Sequence, residues 1–246
     1  MALTKVGSGV IQDDAVGIAN LGATGTADAT TFLRGDNAWT AIASAGFSRF
    51  HVIEVTGTYT VPASITKIVV EVQAGGGGGG GATGGSTNTG AGGSGGAYAK
   101  KQLTVAADNT MTVTIGAAGA GNPYSGGGAG TAGGTSSFAA LAGGASFTTI
   151  TCAGGGAGGG QGGVGGIGGT VTSASATYDL RVDGQNGTQQ TPKDGGSSAM
   201  GRGGRLQAAG NGDPATGYGA GGSGGSGEAT GGGTGTVGVV TITEYK

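Results

Sequence analysis

Seven consecutive glycines, Gly75 to Gly81, come two residues after the strand-like stretch Ile68 to Val72 in "IVVEVQAGGGGGGG". No other feature limits the fold as severely. Glycine loses more conformational freedom on folding than any other residue, so such a run resists order unless something specific holds it. Helix is ruled out across the run and across most of the chain, because each glycine costs about 1 kcal/mol there relative to alanine. The collagen triple helix is ruled out as well. It needs glycine at every third place with abundant proline between, and the chain has 66 Gly but only 4 Pro in 246 residues.

Further glycine tracts, near 74–96, 116–134, 153–169, 195–204 and 217–235, alternate with strand-like or polar segments. A flexible linker would be a single block, so this arrangement points to built structure. The strand signals are clear. In "KIVVEVQ", Ile68, Val70 and Val72 face one way and Val69, Glu71 and Gln73 the other; Met111, Val113 and Ile115 alternate with Thr110, Thr112 and Thr114 in the same manner. "FHVIEVTGTYTVP", "YAKKQLTV" with Leu103 and Val105, and "TVGVVTITEY" with Val240 and Ile242 supply the rest. Half-buried strands need each other to close a core, so the two ends of this region are expected to pair in one antiparallel β-sandwich.

The glycines between the strands have one ordered option. A polyproline II-type helix has three residues per turn and makes no internal hydrogen bonds, so its N–H and C=O groups point outward. Where every residue is glycine, neighbouring helices can approach until those groups bond to one another. The expectation is an all-β fold: an antiparallel β-sandwich carrying a lattice of polyglycine II helices. Interior helices would be glycine at all three positions, as at Gly75 to Gly81. Edge helices would carry side chains, as in "GGSGGSG" (Gly221 to Gly227). Ordering costs about 1–2 kcal/mol per residue against about 0.5–1.5 kcal/mol per hydrogen bond, so the lattice needs the sandwich as an anchor. Seven residues rising about 3.1 Å each span about 22 Å, enough to cross a small domain once and turn back, so the loops should gather at the far end.

Residues 1–46 differ from 47–246. Val10, Ile11, Val16, Ile18 and Leu21, then Phe32, Leu33 and Trp39, are spaced among polar and small residues and are too few to form a core alone. They are expected to pack on a partner or on copies of the same chain. The N-terminus shows no apolar core of signal-peptide length, and no apolar stretch reaches 18 residues, so membrane insertion is not expected. The 11 Lys+Arg and 13 Asp+Glu form no basic stripe, which disfavours nucleic acid. A single cysteine, Cys152, forms no internal disulfide and fits a buried apolar role in a chain folded in a reducing cytoplasm.

Catalytic patterns are weak. His51 is the one histidine and lies within a strand, the carboxylates form no pair at a usable spacing, and no phosphate-binding loop follows a strand and opens a helix. Arg34-Gly35-Asp36 spells an integrin tripeptide but reads better as a turn clasped by Leu33 and Trp39, and Asn211-Gly212-Asp213 does not repeat as a calcium turn would. No enzyme, metal site or cofactor is expected. Polar groups concentrate instead in three inserts, 121–127, 172–200 and 205–218. These supply Asn122 and Tyr124; Tyr178, Asp179, Arg181, Asp183, Gln185, Asn186 and Lys193; and Asp213 and Tyr218. Aromatic rings beside amides and carboxylates suit the recognition of sugars or polar surface loops.

Several stretches are similar to the glycine-rich domain of bacteriophage tail-fibre and virion proteins. They are "GTYTVPASITKIVVEVQAGGGGGGG", "GGSGGAYAKKQLTVAADNTMTVTIGAAGAG", "GGTSSF" and the ending "GGGTGTVGVVTITEY". The fold idea also resembles the tail-tip adhesins of T-even-type phages, in which polyglycine II helices display receptor-binding loops. "GATGTADATTFLRGDNAWTAI" resembles a segment common in phage fibre chains. The resemblance implies a virion component assembled in the host cytoplasm, with residues 1–46 as an extended trimeric shaft or virion attachment segment. It further implies a tip that binds a polysaccharide or outer-membrane protein on the host. The alternatives are a non-adhesive head fibre or decoration protein and, further off, a disordered glycine-rich matrix protein.

Overall fold

The computed structural model describes residues 24–26, 28–29, 31–34, 38–41, 46–85, 88–123, 127–141, 146–172, 177–189, 193–205 and 209–246. The chain divides into two compact units, 1–45 and 46–246. In the first, β1 (Thr31–Leu33) pairs antiparallel with β2 (Trp39–Ala41), placing Leu33 opposite Trp39. Thr24 O accepts the Trp39 backbone N–H at 2.8 Å. Phe32 and Leu33 are exposed and Trp39 is half-buried. Val10, Ile11, Val16, Ile18 and Leu21, together with Gly35 and Asp36, lie outside the described residues.

The second unit holds two main antiparallel sheets. One comprises β3 (Phe47–Ile53), β5 (Lys67–Gln73), β6 (Tyr98–Thr104), β10 (Leu180–Val182) and β13 (Val239–Tyr245), in the order β10-β6-β5-β13-β3. The other comprises β4 (Gly57–Thr60), β7 (Thr110–Thr114), β8 (Ser136–Ala140) and β9 (Ile150–Cys152), in the order β4-β7-β8-β9. The expected pairing of the two ends is present: β13 lies between β3 and β5, with Ile242 opposite both His51 and Val70. The period-two pattern decides the faces. Ile68, Val70, Val72, Leu103, Val240 and Ile242 from the first sheet join Met111, Val113, Phe138, Ile150 and Cys152 from the second in one buried cluster.

Gln73 alternates to the face opposite Val72, yet it is not left to solvent. It is fully buried because the glycine runs cover that end of the sheet, and its Nε2 donates to the carbonyls of Ala74, Gly96 and Ala97 at 3.0–3.2 Å.

Beyond Gln73 the backbone hydrogen bonds change their geometry. Gly75 and Gly78 donate to Gly134 and Thr131; Gly76 and Gly79 to Thr236 and Gly233; Gly77 and Gly80 to Ser94 and Ala91. The direction of donation thus rotates through three neighbours with a period of three residues, as a threefold extended helix requires. The carbonyls behave likewise. Gly75 and Gly78 accept from Gly155 and Gly158, Gly76 and Gly79 from Gly119 and Asn122, and Gly77 and Gly80 from Gly222 and Gly225. Run 75–81 therefore has six neighbours, three antiparallel ones that receive its N–H groups and three parallel ones that approach its C=O groups. This is hexagonal packing of polyglycine II helices, and it admits no side chain here: a Cβ on Gly77 would lie 2.0 Å from Gly156 O.

Two further runs, 90–97 and 219–226, also have six hydrogen-bonded neighbours. Both correct the expectation that interior helices are all glycine and that Gly221 to Gly227 forms an edge. Ala91, Ser94 and Ala97 recur every third residue in the first, and Ala220 and Ser223 are spaced likewise in the second; all five are fully buried. A row of small side chains fits along one of the three faces, in the wedge between two neighbouring runs. Ser94 Oγ there donates to Ile167 O at 2.6 Å. Where a run has no neighbour to receive an amide, side-chain oxygens take its place. Ser136 Oγ accepts from Gly116 N, Thr131 Oγ1 from Ala120 N, Asn186 Oδ1 from Gly168 N and Asn211 Oδ1 from Gly231 N, all at 2.7–2.9 Å.

Candidate functional site

The lattice has two ends. At one, the runs continue into the sheets. At the other they turn, and the described turning residues gather at 83–85, 88–89, 122–123, 127–128, 160–163, 209–211 and 226–230. Their residues hold one another. Gln161 Oε1 accepts from Thr83 Oγ1 at 2.9 Å and from Thr83 N, Asn88 Nδ2 donates to Thr83 O at 2.9 Å, and Gly227 N donates to Asn88 O at 3.0 Å. Gln161 N reaches Gly127 O, Gly162 N reaches Thr89 O, and Gly210 exchanges backbone bonds with Ser226. Gly84 and Gly85 have positive φ of 65° and 88°, the left-handed conformation that lets run 75–81 reverse. Asn211, Ser226, Glu228 and Thr230 surround a dent of about 370 Å³ in this surface, with Glu228 exposed.

The residues singled out from the sequence are not brought together. Asn122 belongs to the turning end: its backbone N–H bonds to Gly79 O and its Nδ2 to Ala129 O. Tyr124 lies outside the described residues. Tyr178 packs against the sandwich core, and Arg181 sits on β10, which pairs with β6 at the side of the first sheet. Asp179 accepts from Gln102 N at 2.6 Å and Asp183 from Val171 N at 3.3 Å, so both carboxylates secure strand ends. Asn186 and Lys193 lie in lattice runs, Lys193 almost fully buried, with its ammonium pushed below its ordinary value by desolvation. Asp213 lies part-way along a run, its O accepting from Ser223 N. Tyr218, on β12 (Thr216–Tyr218), hydrogen-bonds Glu54 beside the sheets. Hence the expectation that all the loops gather at the far end is corrected. Residues 121–123 and 127, and residues 209–211 of insert 205–218, do so, whereas 177–183 and 213–218 run beside or back toward the sheets, because β10 completes the edge of β6 and β12 pairs with β11 (Met200–Arg202).

Sequence reasoning missed Thr83, Asn88, Gln161 and Glu228, all of which lie within tracts read as plain lattice. The signal was present: each interrupts the Gly/Ala/Ser pattern with a larger polar side chain at the point where a run must turn.

A family model described as "Glycine-rich domain" matches residues 53–245, most of the chain and nearly all of the second unit. The chain belongs to this glycine-rich domain family. No curated protein matches the sequence.

The glycine-rich domain also holds polar chemistry inside its sandwich. Glu244 is buried on the core-facing side of β13 and accepts from Tyr59 Oη at 2.8 Å, with His51 Nε2 2.7 Å from the same oxygen. The His51 and Tyr59 rings meet edge to face at 5.8 Å. Burial, reinforced by the Glu244 hydrogen bond, pushes the Tyr59 phenol well above its ordinary value. The Cys152 thiol is pushed up to about 12 by burial, and its Sγ lies 3.3 Å from Val72 O, consistent with a small buried side chain. Among the described residues no group of three His, Cys, Asp or Glu side chains could hold a metal ion.

Proposed function

We propose that the protein is a phage tail-fibre or fibre-tip component that binds a host-cell surface receptor through the loops at the turning end of its lattice. One observation carries this reading. The chain enters the second unit at Gly46, where Gly46 O accepts from Lys246 N at the end of the first sheet remote from the lattice. The knit cluster of loops is at the opposite end. Attachment at one pole and display at the other is the layout a tip needs, and a lattice nearly devoid of side chains acts as a rigid spacer between them. The receptor is a cell-surface polysaccharide or outer-membrane protein. Residues 1–45 join copies of the chain, as a trimer, to the rest of a virion assembled in the host cytoplasm, and several copies per particle multiply weak single contacts. The similarity of "TFLRGDNAW" and of the strand and glycine order to phage fibre chains supports this role.

The test is saturable binding of the full chain to bacterial cells in competition with particle adsorption. Glu228→Lys, an exposed change at the turning end, is expected to weaken binding at least tenfold with no change in melting temperature. Arg181→Ala, beside the sheet, is expected to leave it unchanged. Absence of saturable binding to the true host would leave a non-adhesive virion component such as a head fibre.

A further inference from the structure

On the flank of the lattice, run 193–198 forms the floor of a groove of about 320 Å³ between runs 183–188 and 203–205. Gly195 and Gly203 keep the floor low, so the side chains on the rims define the space: Gln185, Asn186, Asp194, Ser197, Arg202 and Arg205. Their hydrogen-bonding capacity is unbalanced. Gln185 Oε1 is already committed to Ser197 N at 3.1 Å and Asn186 Oδ1 to Gly168 N at 2.7 Å, which leaves each amide its NH₂ group to donate. Ser197 Oγ accepts from Gly203 N at 3.3 Å. Arg202 is exposed and makes no ion pair among the described residues. Arg205 Nε stands 3.7 Å from Asp194 Oδ2 with its side chain 58% exposed, a contact that positions the guanidinium without occupying its remaining donors. Two guanidiniums against one carboxylate make the groove formally +1 in a chain of net charge −2.

A groove rich in donors and poor in acceptors selects a ligand with the opposite inventory. Guanidinium groups match carboxylate and phosphate in planar two-point geometry, and side-chain amides read hydroxyl oxygens. We propose that this flank groove binds an anionic saccharide, a sugar unit bearing a carboxylate, with Arg202 and Arg205 on the charge and Gln185 and Asn186 on neighbouring hydroxyls. The groove is separate from the loop cluster, and its biological meaning rests on the adhesin reading: a charged surface polysaccharide would be held along the lattice side while the tip engages its receptor.

The experiment is calorimetric titration of the full chain at low salt with a galacturonate tetramer, with maltotetraose as the neutral sugar and inorganic phosphate as the bare anion. Saturable binding of the uronate tetramer is expected, at least tenfold tighter than either control, falling at least tenfold in Arg202→Ala/Arg205→Ala and weakening with added salt. A second pair, Arg202→Gln/Arg205→Gln, keeps side-chain bulk and should show the same loss with an unchanged melting temperature. No saturable uronate binding, or binding indifferent to both double variants, would overturn the proposal; phosphate binding as tight as the tetramer would overturn its saccharide part. A chain that binds cells through its tip yet ignores the tetramer defeats the groove alone. One that binds the tetramer yet no cell defeats only the tip.

Discussion

At the scale of single residues, the lattice sorts glycines by what surrounds them. Gly77 faces Gly156 O at a distance where a Cβ would stand at 2.0 Å, and the obstacle is backbone in a run held by its own hydrogen bonds. Gly77→Ala is therefore expected to cost about 3 kcal/mol, the upper part of the range for overpacked interiors. Ser94→Ala, equally buried in a six-neighbour run, keeps its Cβ and loses only the hydroxyl's bonds to Ile167 O and Gly156 O, about 1 kcal/mol. Denaturant unfolding of the two variants checks the contrast, and equal costs would refute it. Buried acids make a second prediction. Cys152 and Tyr98 are both pushed up to about 12, the first by burial and the second by burial together with the Glu71 carboxylate, and Tyr59 is raised further. All three bind their protons more tightly folded than unfolded. Their contribution is intact below about pH 9 and is lost as pH rises toward 12, because the unfolded chain releases these protons first. Melting temperature should fall across that window, with Cys152→Ala flattening its lower part; a melting temperature constant to pH 12 would contradict this.

At the scale of elements, the long strands were legible and the short ones were not. β5, β7 and β13 carry β-branched residues at period two, and their buried faces are the ones the alternation names. β10 was read as part of a loop. With only Leu180 to Val182, all exposed, it carries little pattern of its own and exists because β6 offers an open edge. The burial of Gln73 was hidden for a related reason: alternation predicts the face of a sheet, and nothing local reveals that a lattice covers its end. Turning points hid in the glycine tracts because few larger polar side chains mark them, Thr83 and Asn88 at one and Gln161 at another. The candidate binding residues were chosen for their chemical character, and most of those described serve strand ends, the core or lattice edges, since polar side chains in this fold are drawn first to unmet backbone amides. The sequence places His51 within a strand and names no partner for it; that partner, Glu244, ties the first strand of the unit to the last. Glu244→Ala would leave the Tyr59 hydroxyl buried without a partner and is expected to destabilise by about 1–3 kcal/mol, with Glu244→Gln costing less. Thermal unfolding measures both, and an Ala variant as stable as the parent would sink the assignment.

At the scale of the whole molecule, the glycine-rich unit depends on cooperation between two kinds of order. The sandwich buries apolar side chains in the usual way. The lattice has almost none to bury and is held by amides bonded between neighbouring runs, so it is stable only where the sheets fix the origins of its runs. That division explains why strands stand at both ends of the unit and why the glycine tracts come as several short lengths. It also makes the lattice a stiff spacer between the end where the chain enters and the end where the loops gather. The decisive measurement is amide hydrogen exchange along Gly75 to Gly81. Each of these N–H groups is buried and bonded to a neighbouring run, so the account predicts protection comparable to that of β13 and lost only on global unfolding. Exchange at the rate of an unstructured glycine peptide would contradict it.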